Sequence, residues 1–208
     1  EEKSISNNYK VIIDEQINNV NWPQVNATNF NNTPNFMYAN KKNLISKSKK
    51  LNKNKSSEIY NPKDTILYED KIISHDYKGT IFVYSTISKK NILKYNFYKK
   101  RFKKYKKKIY MLVNDNKLYA ADNLGYVYVL DLDKQSIIWA TNFGVPFRSN
   151  IKLVDDSIFL ANEDNVIYAI NSNTGKKNWQ FGTSSTFLKS SFKNNLAVDQ
   201  VSKNVFFL

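Results

Sequence analysis

Carboxylates fall in close pairs along this chain: Asp131 with Asp133, Asp155 with Asp156, Glu163 with Asp164. Such pairs could hold a calcium ion or supply a general base. Their neighbours decide against it. Each pair sits among turn formers, where a short carboxylate accepts hydrogen bonds from its own backbone. None has the ligand spacing of a calcium loop, and no metal site is expected. His75 is the only histidine and immediately precedes the turn sequence "DYKG". It has no second histidine and no arranged serine and aspartate, so it reads as a solvated hairpin residue. The absence of cysteine excludes thiolate zinc sites, cysteine nucleophiles and a disulfide scaffold. Five glycines build no phosphate-cradling loop.

Charge is the stronger signal. The net charge is +14, and two runs carry it. Lys41–Lys55 has seven lysines and no acid; Lys99–Lys108, "KKRFKKYKKK", has eight basic residues and no acid. Elsewhere 17 basic residues face 18 acidic ones. The excess is therefore two local segments rather than a basic fold. All the basic residues but Arg101 and Arg148 are lysine, which binds phosphate as a point charge but lacks the planar fork that reads bases. Nucleic acid is not the expected partner. The second run is read as an enlarged connection, either a long basic strand or a protruding loop. Its Lys99, Lys100, Arg101, Lys103 and Lys104 would face acidic protein surfaces or anionic lipid.

The elements that must position these residues repeat. Asp70–Leu93, Asn116–Trp139 and Asp156–Trp179 align over 24 residues without a gap. The offsets, 46 and 40 residues, belong to β-propeller blades. Each copy has a short strand, a turn ("DYKG", "DNLG", "NEDN"), a second strand ("TIFVYS", "YVYVLD", "VIYAIN"), another turn and a third strand. In Tyr126–Leu130, Val127 and Val129 face one way and Tyr126, Tyr128 and Leu130 the other. Both faces are apolar and need cover, yet no helical pattern is long enough to supply it. A ring of stacked sheets satisfies this, with Trp139 and Trp179 as plugs between blades. The expected fold is all-β: propeller blades of four antiparallel strands. No run of 18 apolar residues exists for a membrane helix.

"NVIYAINSNTGKKNW", Asn165–Trp179, resembles the repeat of pyrroloquinoline-quinone-type propellers. That family includes quinoprotein dehydrogenases, BamB-like outer-membrane assembly lipoproteins and sensor domains. "NNVNWPQVNATNFNNTPNF", Asn18–Phe36, is similar to the segment before the first blade of BamB-like proteins; Trp22, Pro23 and Gln24 carry the match. The family's glycine pair is Val25–Asn26 here. The resemblance implies an entry segment over residues 1–40. A partial propeller of about four blades would follow over 41–208, its cores at 70–93, 116–139 and 156–179 and a further start at 202–208. The family's propeller has eight blades, so about half is expected here, with open edges that invite self-association.

The function this resemblance implies is binding without catalysis or cofactor. The chain would be a periplasmic scaffold of β-barrel assembly, tethered to the outer membrane by a lipidated cysteine upstream. It would dock to the periplasmic domains of BamA and assist insertion of unfolded outer-membrane proteins. In "FGVPFRSN", Phe143–Asn150, the resemblance places the contact on Val145, Phe147 and Arg148, with Ser149 where the family has glycine. The family's next, acidic contact loop falls near Leu188–Asn195, which carries no acid. Two alternatives stand. One is a sensor domain of the stress-kinase luminal type. The other is a quinoprotein dehydrogenase fragment, which would lack the vicinal disulfide of the alcohol dehydrogenases.

Overall fold

The computed structural model describes residues 13–38, 64–182 and 195–207. Among these there is no α-helix. Blade 1 comprises β1 Ile66–Tyr68, β2 Lys71–His75, β3 Thr80–Ser85 and β4 Lys90–Asn96. Blade 2 comprises β5 Ile109–Asn114, β6 Lys117–Asp122, β7 Tyr126–Asp131 and β8 Ser136–Asn142. Blade 3 comprises β9 Lys152–Val154, β10 Ser157–Ala161, β11 Val166–Asn171 and β12 Lys177–Gly182. A hairpin, β13 Leu196–Val198 with β14 Val205–Phe207, opens a fourth. Every neighbouring pair is antiparallel and joined in chain order.

The two apolar faces of each second hairpin strand separate as the alternation requires. Tyr128 and Leu130 enter the layer shared with blade 1, against Ile73, Ile81, Val83 and Leu93. Val127 and Val129 enter the layer shared with blade 3, against Ile158, Leu160 and Ile170. A third layer joins Phe159, Ala161 and Ile167 to Leu196 and Val198 of the fourth hairpin. One β-bulge recurs at the same place in every blade, between Val83 and Tyr84, Val129 and Leu130, and Ala169 and Ile170. The skipped residues are Ile92, Ile138 and Asn178, each directly before Leu93, Trp139 or Trp179. A bulge re-aims the side chain beside it, here the interblade plug. Trp139 fills that role: its Nε1–H donates to the Ser172 carbonyl of blade 3 at 2.8 Å. Trp179 remains 43 % exposed, touching Phe159 of its own blade.

The entry segment is a tie across the hub. Trp22 pairs with Leu67 of β1 and Gln24 with Leu112 of β5. Asn29 Nδ2 donates to the Leu153 carbonyl of β9, and Asn31 Nδ2 to the Leu196 carbonyl of β13, each at 2.9 Å. One short segment thus touches the first strand of all four blades. Gln24 Nε2 donates to Asn29 Oδ1, and the fully buried Lys152 donates to the Thr28 carbonyl at 2.7 Å and to Gln24 Oε1. The left-handed residues of this segment are Asn26, Ala27 and Asn31; Val25, which stands at the family's first glycine, is not among them.

Candidate partner-binding rim

Four antiparallel strands return the chain to the end at which it entered. Both described interblade connectors, 97–108 and 143–151, therefore leave on one rim, beside the turns after β2, β6 and β10. Those turns share one device. Asp76 Oδ1 accepts from the N–H of Lys78 and Thr80, Asp122 Oδ1 from Leu124 and Tyr126, and Asn162 Oδ1 from Asp164 and Val166. Of the carboxylate pairs, Asp131 does the same at its own turn, its Oδ1 accepting from the Asp133 and Lys134 N–H groups.

The second connector does not present all that the sequence suggested. Phe147, expected as an exposed apolar contact, is fully buried, edge-on to Phe143 and Tyr168. Its N–H donates to the Asp122 carbonyl of blade 2, and Phe147 also forms an isolated antiparallel bridge with Asn162 beside β10 of blade 3. Arg148 is half-exposed and donates from Nη2 to Glu163 Oε2 at 3.1 Å. Such partly exposed pairs contribute about 0–1 kcal/mol and leave an arginine free to exchange partners. Glu163 is itself fixed by its N–H donating to the Pro146 carbonyl. Val145 is half-buried at the rim. Ser149 is buried, its Oγ accepting from the Ala161 N–H at 2.7 Å; the positive φ of this connector belongs to Gly144. The acidic loop sought near Leu188–Asn195 lies almost wholly outside the described residues.

The first connector is a loop rather than a basic strand, with one 3-10 turn at Lys100–Phe102 that includes Arg101. Lys99, Lys100, Lys103 and Lys104 are exposed. Phe97 stacks on Tyr128 with ring centroids 4.6 Å apart, and Phe102 packs edge-on to Tyr126. Lys107 departs from the surface reading of the run: it is 1 % exposed and donates from Nζ to the Phe102 carbonyl. Its pairing and burial left no periodic trace in so lysine-rich a run.

His75 also differs from expectation. It is 4 % exposed at the end of β2, Nδ1 lying 3.2 Å from the Asp76 carbonyl oxygen, and burial lowers its pKa. Nearby, burial pushes the Tyr110 hydroxyl up to about 12, opposed by the Arg148 charge. Asp122, buried under the same rim, is raised by desolvation despite its backbone hydrogen bonds. Among the described residues no three His, Cys, Asp or Glu side chains gather to hold a metal. The described rim thus brings together exposed lysines, the Arg148–Glu163 pair and packed aromatics.

A family model described as "Outer membrane protein assembly factor BamB" matches residues 98–207. No curated protein matches the chain in sequence. Among solved structures, BamB from Moraxella catarrhalis superposes with a TM-score of 0.50 at 17 % identity, over 64 % of this chain and 39 % of that one. The chain thus spans about two fifths of that BamB. The computationally designed proteins Ika8 (TM-score 0.53, 12 % identity, 65 % of this chain and 39 % of that one) and Ika4 (0.51, 10 %, 68 % and 86 %) share the fold.

Proposed function

The chain belongs to the family of the outer membrane protein assembly factor BamB, and from that premise we propose that it is a non-catalytic scaffold of the outer-membrane β-barrel assembly machinery. It docks to the periplasmic domains of a BamA-like protein and assists barrel insertion from the periplasmic side of the outer membrane. One observation carries the choice of surface. Both described connectors leave on one rim, where half-exposed Arg148, three residues after half-buried Val145, pairs with Glu163. Arginine next to apolar surface is a frequent anchor of protein interfaces. Phe147, the residue before Arg148, is fully buried against Phe143 and Tyr168. The exposed Lys99, Lys100, Lys103 and Lys104 of the neighbouring connector add long-range attraction for an acidic partner.

The test is binding of the chain to isolated BamA periplasmic domains from the same organism. Arg148→Glu should weaken binding by at least about tenfold. The swap Arg148→Glu with Glu163→Arg restores the internal pair but should not restore binding. Rescue by the swap would assign Arg148 to folding, and undiminished binding by the single variant would discard the site.

A further inference from the structure

A pocket of about 360 Å³ opens between the first connector and blade 1, lined by Lys78, Asn96, Tyr98, Lys103 and Lys107. Its lining holds three ammonium groups, a carboxamide, a phenol ring and no acid. The chain builds it deliberately. Tyr98 lies over Gly79 so closely that a Cβ there would sit 2.2 Å from the ring. The Lys107 N–H donates to the Tyr77 carbonyl at 2.9 Å, which fastens the connector to the turn carrying Lys78. Asn96 is fixed on both sides, Nδ2 donating to Thr80 Oγ1 and to the Lys78 carbonyl, Oδ1 accepting from the Tyr98 N–H.

The nearest acids are already engaged. Asp76 caps its own turn through the Lys78 and Thr80 N–H groups. Asp122 accepts from the Leu124 and Tyr126 N–H groups and from the Tyr98 hydroxyl at 2.5 Å. Lys107 Nζ lies 5.2 Å from the Tyr98 ring centroid and donates to the Phe102 carbonyl. Burial lowers the pKa of this ammonium, although Asp76 and Asp122 pull it the other way. A cation short of solvent gains most from an anion delivered beside it.

We propose that this pocket binds a phosphate group, as the free ion or as the phosphate of an ester. Lys78 and Lys103 close on it from the two exposed walls, and Lys107 supplies the buried charge. Ammonium groups on separate segments suit a tetrahedral oxyanion because each donates along its own direction. The compact ammoniums ask for charge rather than a planar shape, which favours phosphate over carboxylate.

The probe is inorganic phosphate, titrated calorimetrically into the full chain. One-to-one saturable binding is expected. Lys78→Glu and Lys103→Glu should each weaken it by about fivefold or more, while Lys106→Glu, exposed on the same connector but outside the pocket, changes it by less than about twofold. Circular dichroism confirms that each variant is folded. Competition by phosphatidylglycerol vesicles, and none by phosphatidylcholine vesicles, would add a lipid headgroup as the source. Phosphate binding without vesicle competition would restrict the site to soluble ligands. Equal losses in all three variants, or no saturable binding, would overturn the proposal.

Discussion

Gly175→Ala should unfasten blade 2 from blade 3. Gly175 has φ +71°, but backbone alone does not require glycine there. The aligned residues of the other blades, Gln135 and Lys89, hold φ +54° and +55° with full side chains. Trp139 makes the difference. A Cβ on Gly175 would lie 2.5, 2.8 and 2.9 Å from three atoms of its indole ring. Ordinary contact begins near 3.4 Å, so the ring must retreat by about 1 Å. That breaks the 2.8 Å bond from Nε1 to the Ser172 carbonyl. The lost hydrogen bond costs about 1 kcal/mol. Left-handed strain on alanine adds about 1 kcal/mol, and displaced packing roughly another.

The expected loss is thus about 3 kcal/mol, or roughly 6–12 °C in Tm for a chain of this size. Thermal melts and urea titrations should show it. The decisive comparison is the same substitution in a Trp139→Ala background, where the ring is gone. There Gly175→Ala should cost only about 1 kcal/mol, leaving a coupling of about 2 kcal/mol. Equal costs in the two backgrounds would falsify the claim that the tryptophan, rather than the turn, demands glycine.

The same logic runs one interface earlier, where Leu93 replaces the tryptophan and Gln135 donates from Nε2 to the Ile92 carbonyl. Leu93→Trp should destabilise by about 2 kcal/mol, and Gln135→Gly should recover most of it in urea titrations. Asn29→Ala removes both hub bonds of a buried side chain; it should cost about 1–3 kcal/mol and speed thermolysin cleavage within residues 13–38 before the blades unfold. Burial depresses the folded pKa of His75 below its ordinary 6.5, so its contribution is present above that value and is lost as pH falls. His75→Gln should flatten the stability profile between pH 7 and 5, read by urea titration. Asp122 has the opposite sign: its folded pKa is raised above 3.8, so its contribution is present below that value and is lost as pH rises through the folded pKa. Asp122→Asn, which borrows the cap of Asn162, should remove that decline.

What the sequence disclosed was local. Alternation in Tyr126–Leu130, the turn clusters and the repeat period all act within a few residues, and each appears where it was read. The partners that misled act across distance. His75 looked solvated because a turn follows it, yet strand register turns its ring inward against the rim. Phe147 looked available because the resemblance placed a partner contact on it, yet Tyr168 of β11 receives it. Lys107 hid among seven other basic residues, and only the fold of the connector distinguishes it. The hub tie depends on pairs more than a hundred residues apart, such as Asn29 with Leu153, and no pattern along the chain encodes them. The recurrent bulge could have been suspected, since the plug always sits four residues after the last turn position, Lys89, Gln135 or Gly175.

Even strand number divides the labour between the two rims. The turns between β3 and β4, β7 and β8, and β11 and β12 carry the Trp139–Gly175 and Gln135–Ile92 contacts that hold blade to blade. The opposite rim carries the connectors, whose length can change without disturbing any sheet. There the first repeat spends its six extra residues, and there the eight-residue basic excess and the Arg148–Glu163 pair collect. Designed proteins share this fold, so the blade alone specifies no partner. Reversing a charge at Lys103 or Arg148 should therefore alter binding while leaving Tm nearly unchanged. Substituting Gly175 or Gln135 should lower Tm and leave the affinity of the folded fraction intact. A substitution on the connector rim that moved both together would show that recognition is built into the blades, and that the two rims are not separate devices.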